Sequence, residues 1–243
     1  MYDEPLFLAA GDGALVVELG DSIDPETNRK VHNLLRSVER RSVPGVIDLV
    51  PTYRSLLVEF DPIETPLEEL KSILDQCSNN LDELDEDKRR VVHIPTLYSG
   101  EYAPDLPFVA EHAGLTIDEV VSIHSGTDYL VYMMGFTPGF AYLGGLSEKV
   151  ATPRLETPRT VTPGGSVGIA ESQTGVYPVA SPGGWRLIGR TPVRLFDPQR
   201  EPPAVLAAGD YVRFVPLSGE AEYLRILDRV KTANYECTVE TES

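Results

Sequence analysis

The apolar positions change their spacing along the chain, and each change marks an element. Ala14–Leu19 is a short β-rich run. After it, Asp24 stands where it can cap a helix, and Pro25 suits the first helical position because no N–H is needed there. Val31, Leu34, Leu35 and Val38 then recur at helical spacing, which predicts one buried stripe. Strand-like runs follow at Gly45–Val50 and Ser55–Phe60, parted by Pro51–Arg54. A second helix is predicted from Thr65, with Pro66 first, Glu68 completing a capping box, and Leu67, Leu70, Leu74 and Cys77 facing inward. Strand, helix, two strands, helix, strand is the order of a small split β-α-β sandwich.

Asn79–Arg90 breaks this pattern. It is acidic and polar and ends in Lys88, Arg89 and Arg90, as a solvated domain junction does. Beyond it Val91–Leu97 predicts a strand. Two short helices follow, the second capped by Thr116 with Glu119 three residues on. From about residue 127 to 216, short β-prone runs are broken by Gly and Pro every few residues, the signature of a barrel or sandwich. Ser218 to about Lys231 predicts a last helix with Tyr223, Leu224, Leu227 and Val230 inward. The expected organisation is an α+β N-terminal domain over residues 1–88, a mainly-β domain with a C-terminal helix over 89–232, and a tail over 233–243.

Composition narrows the function classes. The 243 residues are 42% hydrophobic, enough to bury a core, and the net charge of −17 disfavours nucleic acid and anionic lipid as partners. The patch Leu6–Ala10 lies among Asp3, Glu4 and Asp12, so neither a leader nor a bilayer span is expected, and the cytoplasm is the expected location. Cys77 and Cys237 are too few and too far apart for a disulfide framework. His32, His93, His112 and His124 show no ligand spacing, so no protein-bound metal is expected.

Residues 135–192 hold eleven Gly and seven Pro, yet Phe136, Phe140, Tyr142, Tyr177 and Trp185 anchor the segment as a packed body. Its Lys149, Arg154, Arg159, Arg186 and Arg190 stand against three glutamates and no aspartate, a net +2 inside an acidic chain. An arginine-based island suits phosphate or carboxylate, which the guanidinium fork binds bidentately; equally, such arginines cap turns by bonding carbonyls. Thr152-Pro153-Arg154 recurs as Thr157-Pro158-Arg159. Gly164-Gly165-Ser166-Val167-Gly168 matches a hydrolase nucleophile elbow, but the residues after it read as β and no histidine follows Ser166, so a catalytic Ser166 is not expected. No phosphate-binding G-x-x-x-x-G-K-[ST] loop is present.

The same segment carries a family resemblance. His93-Ile94-Pro95, Gly135-Phe136-Thr137-Pro138-Gly139-Phe140-Ala141-Tyr142-Leu143-Gly144-Gly145, Ala151-Thr152-Pro153-Arg154, Gly165-Ser166-Val167-Gly168-Ile169-Ala170, Gln173-Thr174-Gly175-Val176-Tyr177-Pro178 and Ser181-Pro182-Gly183-Gly184-Trp185 resemble the KipI / allophanate-hydrolase-subunit-1 family. The likeness extends over nearly all of residues 8 to 232, with Thr162-Pro163-Gly164-Gly165 departing from an expected Val-Pro-Ala-Gly. The resemblance implies a cyclophilin-like β-barrel for the second domain. It also implies a non-autonomous component that works with A and C subunits, the latter of the allophanate-hydrolase-subunit-2 family, to open 5-oxoproline to L-glutamate using ATP with Mg. Other branches of the family point instead to inhibition of a sensor histidine kinase or to allophanate hydrolase and urea carboxylase; a prolyl isomerase follows from the barrel alone, by analogy. On this reading Arg154 and Arg159 are expected to contact anions and Gln173 an amide edge. Tyr142, Trp185 and Arg190 are expected to line a pocket or interface. His124, just before the predicted strand Tyr129–Met134, is the candidate proton carrier, or else a structural histidine at a helix end.

Overall fold

The structure, a computed structural model, describes residues 2, 4–79, 81 and 89–242. It divides into two compact units, Met1–Asp87 and Lys88–Ser243. Of the acidic junction expected at Asn79–Arg90, all but Asn79, Leu81, Arg89 and Arg90 lies outside the described residues.

The first unit runs β1 (Leu6–Ala9), β2 (Ala14–Glu18), α1 (Pro25–Arg41), β3 (Val46–Pro51), β4 (Ser55–Phe60) and α2 (Leu67–Ser78). Its strands form one antiparallel sheet in the order β1-β2-β4-β3. Leu15, Val17, Leu56, Val58 and Phe60 project from the sheet onto Val31, Leu34, Val38, Leu70, Leu74 and Cys77 of the helices. Each such side chain, fully buried, contributes on the order of 1.5–3 kcal/mol. Asp24 caps α1 by accepting from the backbone of Glu26 and Thr27, a contact worth about 1 kcal/mol.

Two expectations for this unit fail. The small sheet takes its fourth strand from β1 at its edge and not from a strand after the second helix; Val91–Leu97, expected beyond the junction, lies in the second unit as anticipated. The patch Leu6–Ala10 has no alternation to announce a strand, and only its pairing with β2 reveals one. The capping box at Thr65 also does not form: Pro66 is the N-cap of α2 and makes no side-chain bond. Thr65 is buried, and its Oγ1 donates to the Pro44 carbonyl at 2.6 Å, so the hydroxyl is already used.

The second unit contains β5 (Arg89–Thr96), α3 (Leu106–Ala113), α4 (Ile117–Ser125), β6 (Asp128–Met134), β7 (Ala141–Gly144), β8 (Arg159–Thr162), β9 (Ser166–Ala170), β10 (Gln173–Val176), β11 (Ser181–Gly183), β12 (Arg186–Arg190), β13 (Tyr211–Pro216), α5 (Glu220–Lys231) and β14 (Val239–Glu242). Eight of the strands form one sheet in the order β12-β9-β10-β7-β6-β13-β5-β14, while β8 and β11 make a separate ribbon. Just past β5, Leu97 exchanges backbone hydrogen bonds of 2.9 and 3.0 Å with Arg190 on β12, the opposite end of that order. The sheet therefore curls back toward itself, as a half-barrel, around Val92, Ile94, Tyr129, Val131, Ile169, Ile188 and Phe214. Helix α4 begins with the anticipated capping box of Thr116 and Glu119.

Charge fastens the far strands. Asp128 on β6 accepts from Arg213 on β13 and from Arg89 on β5, each at 2.6 Å, and Arg213 also reaches Glu240 on β14 at 3.2 Å. The hydrogen bonds from Arg213 hold the Asp128 carboxyl below its ordinary range, against the opposing effect of burial. Residues 233–243, expected as a tail, thus contain a strand of the main sheet. In α5 only Tyr223 of the expected inward set is fully buried, packing on Tyr102 at 4.7 Å, and Leu224 is 46% exposed.

Candidate functional site

The Gly/Pro-rich segment builds an aromatic cluster on one part of the second unit. Gly168 on β9 and Gly175 on β10 are paired across the sheet, and Trp185 rests against both. A Cβ at Gly168 would lie 3.1 Å from the Trp185 Cβ, and one at Gly175 would lie 3.1 Å from its Cζ3. Two missing side chains therefore make the shelf that the indole occupies. Phe140 is the hub: Tyr142, Trp185 and Tyr177 meet it edge-on at 5.0, 5.8 and 6.0 Å. Such edge-to-face pairs add roughly 0.5–1.5 kcal/mol each beyond area burial.

Phe136 extends the cluster to the surface. Its ring meets Phe140 at 5.6 Å and is 66% exposed. The residue has φ +66°, and the Thr137 N–H donates to the Gly135 carbonyl across it at 2.8 Å. A three-residue turn of this hand is uncommon and strained for a residue with a Cβ.

These rings wall a cavity of about 190 Å³, whose lining also includes Arg154, Gln173 and the chain from Pro182 to Gly184. Of the residues expected at a site, Tyr142, Arg154, Gln173 and Trp185 come together here. Arg154 is exposed and has no ion-pair partner among the described residues. Burial raises the pKa of the Tyr177 phenol, and the charges of Arg154 and Arg159 oppose that rise.

The other three expected residues are not in the lining. Arg159, at the start of β8, gives Nη2 to both carboxylate oxygens of Asp105 at 2.8 Å and Nη1 to the Trp185 carbonyl at 3.2 Å. Asp105 in turn accepts from the Leu187 N–H at 2.6 Å. The pair thus clamps the backbone on either side of Arg186 and fixes the strand that carries Trp185. Arg190 lies at the seam of the curled sheet, its guanidinium 5.3 Å from the Tyr102 ring centroid.

His124 ends α4 in the core. It is fully buried, with Nδ1 2.8 Å from the Tyr98 hydroxyl and Nε2 2.8 Å from Thr174 Oγ1. Thr174 spends its one hydroxyl hydrogen on the Gly168 carbonyl at 3.0 Å. It must therefore accept from His124, which fixes the tautomer with hydrogen on Nε2 and makes Nδ1 the acceptor from Tyr98. Burial pulls the His124 pKa down to about 3. A neutral ring with both nitrogens engaged is positioned to brace β10, not to exchange protons at the cavity.

Phe136, Phe140 and Tyr177 line the cavity although the sequence marks them only as packing anchors, and Asp105 stands in the family-like run Pro104-Asp105-Leu106 with no role assigned to it. The signal for Phe136 was the Gly135-to-Gly139 turn around an aromatic residue. The pairing of Asp105 with Arg159 has no local signal, since the two lie 54 residues apart.

Comparison with known proteins adds to this geometry. Residues 5–206 match the family described as carboxyltransferase domain, subdomain C and D. The B subunit of the Bacillus subtilis (strain 168) 5-oxoprolinase is 44% identical over 223 residues, covering 88% of this chain and 92% of that protein. A conserved uncharacterized protein of known structure from Pyrococcus horikoshii is 48% identical with a TM-score of 0.54, covering 90% of this chain and 100% of that one. The Kluyveromyces lactis urea carboxylase shares the fold, with a TM-score of 0.77 over 98% of this chain at 22% identity; this chain spans 24% of that longer one.

Proposed function

The chain belongs to the family of carboxyltransferase domains, subdomain C and D, and from that membership we propose that it serves as the B subunit of an ATP-dependent 5-oxoprolinase. The observation that carries this reading is the likeness to a 5-oxoprolinase B subunit over nearly the whole of both chains. The complex opens 5-oxo-L-proline to L-glutamate and consumes ATP with Mg. Its other members are the A and C subunits, the latter of the allophanate-hydrolase-subunit-2 family. We assign it to the cytoplasm, where the unpaired Cys77 and Cys237 stay reduced.

In architectural terms we read residues 1–88 as a small α+β domain and 89–232 as a cyclophilin-like barrel; the bonding of Leu97 to Arg190 supports a barrel that nearly closes. The site we assign is the aromatic cavity. Arg154 contacts an anionic group, Gln173 faces an amide edge, and Tyr142 and Trp185 form walls. Arg159, Arg190 and His124 act through the fold instead, the first by holding Trp185 in place.

Opening a lactam requires water to add to a resonance-stabilised carbonyl and the C–N bond to break. The cavity lining offers binding groups and no carboxylate, imidazole or thiol. Groups for bond breaking must then come from a partner, which supports a non-autonomous role. The purified chain should neither open 5-oxoproline nor hydrolyse ATP, whereas co-expression with the A and C subunits should yield a co-eluting complex that does both. Turnover by this chain alone at rates typical of enzymes would overturn the reading.

A further inference from the structure

The aromatic cavity also bears on which of the two substrates this chain holds. Its volume of about 190 Å³ lies below the roughly 300–1,000 Å³ of pockets that enclose drug-sized ligands. The lining carries a single formal charge, that of Arg154. One guanidinium matches one carboxylate bidentately, but a nucleoside triphosphate brings several negative charges and needs several cations around it. The cavity therefore does not fit ATP. It does fit a small ring: aromatic faces suit its methylene edges, and the Gln173 amide has both the acceptor and the donors that a lactam N–H and C=O require. Phe136 adds an independent sign, since a strained backbone holding a largely exposed ring at the rim is the kind of feature that persists at ligand sites.

We infer that this cavity takes the carboxylate-bearing cyclic amide, with Arg154 on the carboxylate and Gln173 on the lactam edge, and that the nucleotide binds elsewhere in the complex. The inference rests on the 5-oxoprolinase reading.

Trp185 is the chain's single tryptophan, so its fluorescence reports on the cavity alone. The full chain is titrated with 5-oxoproline, with Mg-ATP and with 2-pyrrolidinone, the same ring without its carboxylate. Concentrations run to about 10 mM, beyond the usual range of roughly 1 μM–1 mM for enzyme KM values. The expected result is a saturable change with 5-oxoproline that Mg-ATP neither produces nor reverses. Removing the ligand carboxylate, or replacing Arg154 by Ala, should weaken binding about ten- to a hundredfold. Because 2-pyrrolidinone tests the same contact on unaltered protein, a misfolded variant does not blunt the experiment. Competition by Mg-ATP, or no response to 5-oxoproline, overturns the inference; if the co-expressed three-protein complex still opens 5-oxoproline, the 5-oxoprolinase reading survives that failure. A complex without turnover removes both.

Discussion

Thr152-Pro153-Arg154 and Thr157-Pro158-Arg159 are the same tripeptide, and the fold uses them in opposite ways. In each, proline stiffens the backbone before the arginine. Arg154 lines the cavity and has no ion-pair partner among the described residues. Arg159 spends its guanidinium on Asp105 and on the Trp185 carbonyl. What separates them is the address of the partner. Asp105 precedes α3 and accepts from the Leu187 N–H while it holds Arg159, so one buried carboxylate ties β8 to β12. An arginine that organises a wall and an arginine that lines the cavity thus arise from identical local sequence.

The sharpest way to break this comparison is Arg159→Ala. Asp105 is buried, and losing its counter-ion leaves a carboxylate with only backbone N–H support. Breaking such a pair from one side costs roughly 3–5 kcal/mol when both members are fully buried. The Arg159 side chain keeps 27% of its surface exposed, so about 3 kcal/mol, the lower end, is expected. Denaturant unfolding measures this directly, and the Trp185 emission of the folded variant should shift because the carbonyl of that residue loses its donor. Arg159→Lys should recover part of the loss, since it restores the charge without the fork. A variant as stable as the parent would mean that the clamp is only a surface ion pair.

Arg154→Ala should give the complementary result. Among the described residues it is exposed and has no ion-pair partner, so stability should change by less than about 0.5 kcal/mol, as for an ordinary surface site. Turnover of the assembled complex should nevertheless fall by about one to two decades, the equivalent of one charge-assisted contact of roughly 1.5–3 kcal/mol. Lysine should restore only part of it. If the two alanine variants behaved alike in both assays, the distinction between brace and ligand contact would be lost.

Much of the local structure was legible in the sequence, and the reason is that its causes are local. The cap at Asp24, the stripe Val31–Leu34–Val38, the capping box at Thr116 and strand β4 each rest on neighbours within a few residues. Most of the failures have distant causes. Thr65 is defined by the Pro44 carbonyl and β14 by a strand more than a hundred residues earlier, while β1, paired with the next strand in sequence, is missed only because its own residues do not alternate. At the cavity, Tyr142, Arg154, Gln173 and Trp185 stood inside recognisable motif runs. The roles of Arg159 and His124 did not, because their partners Asp105, Tyr98 and Thr174 lie 54, 26 and 50 residues away.

His124 sharpens the comparison further, because like Arg159 it was singled out for chemistry and is engaged in the fold. Here the expected effect is smaller and appears as a slope against pH. Around the ring stand Tyr98, Tyr129, Phe214 and Thr174, and burial alone accounts for the depressed pKa. The folded value of about 3 lies below the ordinary 6.5, so in acid the unfolded chain binds a proton that the native chain refuses. Stability from this residue is complete above 6.5 and declines as the pH falls toward 3. Within that window the decline approaches about 1.4 kcal/mol per pH unit. Depressed carboxylates such as Asp24 and Asp128 act near and below their ordinary 3.8, so the difference between parent and a His124 variant over about pH 6 to 5 isolates the contribution of this residue. His124→Gln keeps an acceptor for Tyr98 and a donor for Thr174 while removing the titration. Unfolding free energies measured across that interval should therefore slope less steeply for His124→Gln than for the parent, by close to one proton. Equal slopes would mean that His124 is protonated in the native core or reached by water, and the contrast between a residue engaged in the fold and one held ready for a ligand would then fail at this position.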